Sequence, residues 1–200
     1  MVRTNEELYG NDIAVMQEYM HVLAERIKTY SVQMEQRTGM NPVEHLKCRI
    51  KSEDSMREKC RRLGLPETKE SALHEITDAI GLRVICPFLD DVYRMRNYIA
   101  GLDGIAVIRE KDYIRNVKPN GYRSYHMILY NGEYYAEVQI RTISMDTWAA
   151  LEHQIRYKKL LPQNEKLLMN ELKRCADELA STDMTLQTIY SMLQGEEMNG

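Results

Sequence analysis

Residues 122–141 read YRSYHMILYNGEYYAEVQIR, with Asn131-Gly132 near the middle. An Asn-Gly pair between two β-rich runs predicts a hairpin closed by a two-residue type I′ turn. That turn sets a register in which Tyr130 faces Glu133, Ile128 faces Tyr135, His126 faces Glu137, Ser124 faces Gln139 and Tyr122 faces Arg141. Alternation places all of these side chains on one face of the ribbon. The opposite face reads Tyr125, Met127, Leu129, Tyr134, Ala136, Val138 and Ile140, apolar enough to lie on a core. The polar face is either the wet side of an antiparallel sheet or the floor of a site. The hairpin alone leaves both open.

Moving outward, "GLRVICPF" reads as a buried strand stopped by Pro87, and "GIAVIRE" as a second strand. Between them "DDVYRMRNYIAGL" is helical, with Val92, Met95 and Ile99 facing inward. "KSEDSMREKCRRLG" reads as a short helix with Ser52 as N-cap, acidic residues in the first turn and Gly64 past the end. The loop "KDYIRNVKPNG" leads into the hairpin, and "SMDTWAALEHQIRYKK" is an amphipathic helix after it. Strands interleaved with helices predict an α/β (α+β) fold, a mixed sheet flanked by helices. At the N-terminal end Ile13, Met16, Met20, Leu23, Ile27, Tyr30 and Met34 recur at steps of three and four, a heptad seam. Leu168, Leu172, Cys175, Leu179, Thr182, Leu186, Ile189 and Leu193 keep the same rhythm at the other end. Each of these long helices is expected to pack against another helix, in the same chain or in a second copy.

With 200 residues, 44% hydrophobic and 28% charged, the chain is sized for one domain with an ordinary core. A net charge of −3 gives no global pull toward nucleic acid or membrane, so any anion site must be a local concentration of Lys and Arg. Cys48, Cys60, Cys86 and Cys175 are widely spaced, without a CxxC or Cys/His cluster, which favours a reducing, cytoplasmic compartment. The start, "MVRTNEELYGND", has no apolar h-region, and no membrane partner is expected.

Three stretches could carry chemistry. Ser55, Lys59 and Arg62 share one face of the short helix, and Arg49 and Lys51 precede its N-terminus, where backbone N–H groups favour anions. This is either a solvated basic face or a polyphosphate site. Asp78 stands before the buried strand and Arg83 within it, a position costly for a charge unless it is paired or lines a cleft. Asp78 and Glu137, brought to one sheet edge, would offer the oxygen ligands that Mg²⁺ takes alongside waters and phosphates. Tyr122, at the mouth of a polar, cationic face, suits stacking on a nucleobase as well as packing in a core.

"CRIKSEDSMREKCRR", "TDAIGLRVICPF", "KDYIRNVKPNGYRSYH" and "EVQIRTISMDTWAALEHQIRYK", in this order, closely resemble the synthetase domain of RelA/SpoT-type alarmone enzymes. The short chain with helical ends is similar to the small stand-alone members. The resemblance covers Pro42 to Lys159. It implies a single domain over residues 1–200, with a catalytic region at about 42–159 and helical extensions at 11–37 and 164–194. The implied fold is nucleotidyltransferase-like. The implied reaction moves the β,γ-pyrophosphate of ATP to the 3′-OH of GDP or GTP, releasing AMP and making (p)ppGpp for stringent-response signalling. Carried over by motif, Arg49 and Arg83 hold adenine, while Lys51, Ser55, Lys59 and Arg62 grip the ATP phosphates. Asp78 and Glu137 bind Mg²⁺, with Glu137 also helping to deprotonate the 3′-OH. Tyr122 stacks on guanine, with Lys111, Lys118, His126 and Gln139 around the acceptor. The resemblance further implies a homotetramer and leaves room for RNA or (p)ppGpp as an effector.

Asp146 departs from the pattern, standing where a relative has Asn, which leaves an acceptor contact at that position open, and "REKD" at Arg109 to Asp112 matches the basic variant of a motif tied to acceptor preference and metal dependence. Two rivals stay open. A nucleotidyltransferase of the same fold would release pyrophosphate instead of AMP, though the Asp-x-Asp pair it needs is absent after Asp78. An RNA-binding module would use the basic and aromatic surface without needing Asp78 and Glu137; the near-neutral charge counts against it.

Overall fold

Ser52 begins the first short helix as the sequence predicts: its backbone is extended and its hydroxyl accepts from the Ser55 N–H at 3.4 Å. Gly64 ends the helix in the left-handed region, at φ 70°. The computed structural model describes residues 8–157 and 165–197. In chain order they form α1 (Asp12–Thr38), β1 (His45–Ile50), α2 (Glu53–Leu63), β2 (Ile80–Cys86), α3 (Leu89–Ala100), β3 (Ala106–Asp112), β4 (Tyr125–Tyr130), β5 (Tyr135–Thr142), α4 (Ile143–Tyr157) and α5 (Glu165–Glu197). A single π turn, Ser71–Glu75, lies between α2 and β2. The expected boundary between catalytic region and C-terminal extension, at 159–164, falls outside the described residues, as does most of the polar lead-in.

The strands make one mixed sheet in the order β1-β2-β5-β4-β3. Among the described strands only β2 and β5 run parallel; the other neighbours are antiparallel. Its apolar face carries Ile80, Leu82, Val84, Met127, Leu129, Ala136, Val138 and Ile140. All are buried in one cluster with Met16, Leu23 and Ile27 of α1 and Val92, Met95 and Ile99 of α3. A smaller cluster joins Trp148 of α4 to Leu172 and Ala176 of α5.

Two expectations need correction. The hairpin is not closed by a two-residue turn: Tyr130 pairs with Tyr135, His126 with Gln139 and Ile128 with Glu137. The Asn131 side chain explains the longer loop. Its Oδ1 accepts from the backbone N–H groups of Glu133 at 3.0 Å and Tyr134 at 2.8 Å, an Asx-type turn that makes a four-residue connection self-sufficient. The Tyr134 hydroxyl then donates to Asp12 at 2.7 Å, tying the loop to the start of α1. Because the slip is an even number of residues, every side chain keeps its face. The second correction concerns α1. Its seam lies mainly on the sheet, not on another helix, although Tyr30 stacks on Tyr98 of α3 with ring centroids 4.0 Å apart.

Strand β1 was not foreseen. It reads His45-Leu46-Lys47-Cys48-Arg49-Ile50, a strict polar–apolar alternation that is itself a strand signal. It matters because it forms one wall of the site.

Candidate active site

The non-core face of the sheet carries a row of polar side chains fixed by register. Lys47 of β1 pairs with Arg83 of β2, Arg83 with Gln139 of β5, Gln139 with His126 of β4, and His126 with Lys111 of β3. The next row holds Arg49, Gly81, Glu137 and Ile128. The face that the hairpin left ambiguous is thus continuous across all strands. A cleft of about 240 Å³ opens on it, lined among others by Arg49, Asp78, Arg83, Glu137 and Gln139.

At one end of the cleft sits Asp78. Its Oδ2 accepts from Lys51 Nζ at 2.7 Å and Lys59 Nζ at 2.6 Å, both ammonium groups being largely buried. Its Oδ1 is buried with no hydrogen-bond partner among the described residues. A buried acceptor left unsatisfied costs about 1–3 kcal/mol, so this oxygen is set for a donor or cation that binding would bring. Two carboxylates on one cleft, one with a spare oxygen, fit Mg²⁺, which takes few protein ligands and completes its shell with waters and phosphates.

At the other end a chain of hydrogen bonds runs from the aromatic group to the carboxylate. Arg141 Nη2 donates to the Tyr122 hydroxyl at 2.7 Å, and that hydroxyl lies 2.8 Å from His126 Nε2. His126 Nδ1 lies 3.3 Å from Glu137 Oε1, and Gln139 Nε2 donates to Glu137 Oε2 at 2.9 Å. Burial pushes the Glu137 carboxyl up. The hydrogen bond and charge of His126, the Gln139 amide and the Lys59 ammonium outweigh it, bringing the pKa from its ordinary 4.5 down to about 2. Lys118 Nζ sits 4.4 Å from the Tyr113 ring centroid and 4.9 Å from that of Tyr122, a cation over two aromatic faces.

Of the residues singled out from the sequence, Lys51, Lys59 and Asp78 come together as one ion cluster, and Tyr122, His126, Glu137 and Gln139 as one chain. Arg49 and Arg83 line the cleft with Asp78, Glu137 and Gln139. Lys118 attends the aromatic end. Three others take no part in either hydrogen-bonded group, though register puts Lys111 beside His126 on the same face. Arg62 and Lys111 are exposed, the latter on the edge strand, and the Ser55 hydroxyl receives a hydrogen bond from Ser52 at 2.9 Å. Two further residues of the site, Arg141 and Lys47, are not among the candidates from the sequence, and Asp146 is there only as a departure from the family pattern. Arg141, only 5% exposed at its side chain, was legible from its place on the polar face of the hairpin. Lys47 went unseen with β1. Asp146, in the first turn of α4, accepts from both Arg83 and Arg141, a convergence of distant residues that no local motif announces.

Comparison with known proteins places the sequence and the fold in a family. Residues 48–161 match the model of the region found in RelA/SpoT proteins. The GTP pyrophosphokinase YwaC of Bacillus subtilis is 38% identical over 184 residues, covering 88% of this chain and 87% of that protein. The crystal structure of small alarmone synthetase 2 from Bacillus subtilis superposes with a TM-score of 0.79 at 34% identity, over 93% of this chain and 100% of that one. Small alarmone synthetase 1 from the same organism, crystallised with its product pppGpp, gives a TM-score of 0.82 at 25% identity, over 94% and 100%. A nucleotide-handling α/β domain of the alarmone type is therefore the class that fold and site define. The chain belongs to the RelA/SpoT family, with small stand-alone synthetases among its relatives.

Proposed function

We infer that this protein is a (p)ppGpp synthetase, a GTP/GDP pyrophosphokinase. The observation that carries it is the joining of two half-sites on one sheet face. A lysine–carboxylate cluster suited to a polyphosphate lies at one end, and an aromatic–His–Glu chain suited to a guanosine acceptor at the other. Such transfer needs little covalent chemistry from a protein; it needs in-line positioning and neutralisation of charge. The acceptor 3′-oxygen attacks the β-phosphorus of ATP and forms the new P–O bond. The bond from the β-phosphorus to the α,β-bridging oxygen breaks, and AMP leaves with that oxygen.

The chain's own residues divide the work. Arg49 and Arg83 flank the adenine side of the cleft, and Lys51 and Lys59 take the phosphates. Arg62 and Ser55, on the open face of α2, and Lys111 on β3 reach phosphate only at the rim. Tyr122 stacks on guanine once Lys118 swings from its face to the acceptor's phosphates. Asp78 and Glu137 would hold Mg²⁺, which, when bound, supplies charge neutralisation at the transferred phosphates. A carboxyl held near pKa 2 makes a poor final proton acceptor at neutral pH. Glu137 therefore orients the 3′-hydroxyl, and solvent carries the proton away.

The protein is further proposed to act as a homo-oligomer, most simply a tetramer, in the cytoplasm. Leu186, Ile189 and Leu193 on α5 are 42%, 49% and 57% exposed, an apolar stripe in keeping with a helix-to-helix contact between copies. No helix among the described residues is long and apolar enough to cross a membrane. The test of the reaction is acceptor dependence. AMP should form from ATP only when GDP or GTP is present, whereas release of free pyrophosphate would favour the nucleotidyltransferase rival.

A further inference from the structure

Asp146 stands where the two half-sites meet. Its Oδ1 accepts from Arg83 Nη1 at 3.2 Å and from Arg141 Nη1 at 3.0 Å, and its Oδ2 lies 3.7 Å from Lys47 Nζ. Arg83 belongs to the cleft wall on the ATP side. Arg141 belongs to the acceptor side: besides Asp146 it binds the Tyr122 hydroxyl at 2.7 Å, Gln139 Oε1 at 2.9 Å and Ser124 Oγ at 3.3 Å. The two guanidinium groups sit on neighbouring strands and repel each other. Burial and the Arg141 charge hold the Arg83 guanidinium below its ordinary range, with Asp146 opposing both. One carboxylate, itself only 15% exposed, lets both cations stay in place.

We propose that Asp146 is a positioning residue that registers the two nucleotides against each other, holding Arg83 for ATP and, through Arg141, the Tyr122 ring for the guanosine acceptor. The inference rests on the synthetase function above and adds to it a residue for which neither substrate alone accounts. A small misplacement of reacting groups can cost about a hundredfold in rate, so a shared anchor for both half-sites has a clear use. The competing role, direct contact of Asp146 with the guanine, would act on the acceptor alone and would not run through Arg141.

Calorimetric titration with GDP and with α,β-methylene-ATP separates these. Asp146→Asn keeps shape but loses the charge-assisted bonds, and should weaken both ligands about tenfold, the loss expected for a hydrogen bond to a charged group. Arg141→Gln should weaken GDP by about as much and leave the ATP analogue within roughly twofold. In the double variant the GDP losses should not multiply, because both substitutions break one path. Unchanged affinity for the ATP analogue in Asp146→Asn, or GDP losses that multiply, would overturn the proposal. If Asp146→Asn does not fold, Arg141→Lys keeps the charge and loses the two-pronged geometry; unchanged GDP affinity there would overturn it equally. Wild-type protein that binds neither nucleotide would instead remove the synthetase function, and the proposal with it.

Discussion

At the scale of single residues, the site depends on charges held in place by neighbours. Asp78→Asn and Glu137→Gln retain shape while removing the negative charge. Each should lower turnover by about 10²-fold or more, the size of effect seen on losing a key electrostatic group; near-normal turnover in folded Glu137→Gln would exclude that residue from the mechanism. Tyr122→Ala should weaken acceptor binding by about 1–3 kcal/mol, the usual worth of an aromatic–base stack, and leave ATP affinity little changed. An equal loss for both nucleotides would make Tyr122 structural. Glu137 also predicts a pH dependence of stability. Its folded pKa, about 2, lies below the ordinary 4.5, so its contribution is complete above about 4.5 and is lost as the pH falls toward 2. Linkage makes it worth on the order of 3 kcal/mol. Urea melts at a series of pH values should therefore show a shallower acid decline for Glu137→Gln than for wild type between pH 4.5 and 2.

At the scale of elements, the acceptor loop is set by α5. Gly121 has φ +92°, and a Cβ there would lie 2.7 Å from Ala176 Cβ and 3.3 Å from Lys173 Cα. Arg123 fixes the same junction, donating to the Ala176 carbonyl at 3.2 Å and to Asp177 at 2.8 Å. Gly121→Ala should cost about 1–3 kcal/mol in backbone strain, with the clash added, and raise the acceptor KM. Adding Ala176→Gly should recover the clash but not the strain, which urea midpoints of the two variants would report. The helices and inner strands of this fold were legible because their apolar residues follow one period each, from Val92, Met95 and Ile99 on α3 to Met127 and Leu129 on β4. The hairpin loop differs from expectation because Asn131 signals both a tight turn and a side-chain-capped loop, and here its Oδ1 caps Glu133 and Tyr134. The seam of α1 was misjudged because steps of three and four look alike whether the surface opposite is a helix or a sheet. Within the site, residues contributed by one motif could be grouped from sequence. The convergence of Arg83, Arg141 and Asp146 depends on strand order, which no single segment encodes.

For the whole molecule, the two terminal helices differ in burial, α1 lying in the core and α5 presenting exposed apolar residues. Leu23 and Ile27 are 1% and 0% exposed within the single chain, so Leu23→Asp or Ile27→Asp should unfold the protein instead of merely dividing an assembly. Leu186→Asp with Ile189→Asp changes only exposed positions and should leave the fold intact while reducing the mass seen by light scattering. A wild-type mass of 23.5 kDa at micromolar concentration would contradict the oligomer. The central claim, that one sheet face joins an ATP half-site to a guanosine half-site for pyrophosphate transfer, has a more direct test. ATP labelled at the γ-phosphate is incubated with GDP and Mg²⁺, and the labelled nucleotide is isolated and mapped. The label should move to a pyrophosphate on the 3′-oxygen of the guanosine nucleotide, with one AMP formed per transfer. Label recovered as free pyrophosphate or inorganic phosphate, with the guanosine nucleotide unlabelled, would contradict it.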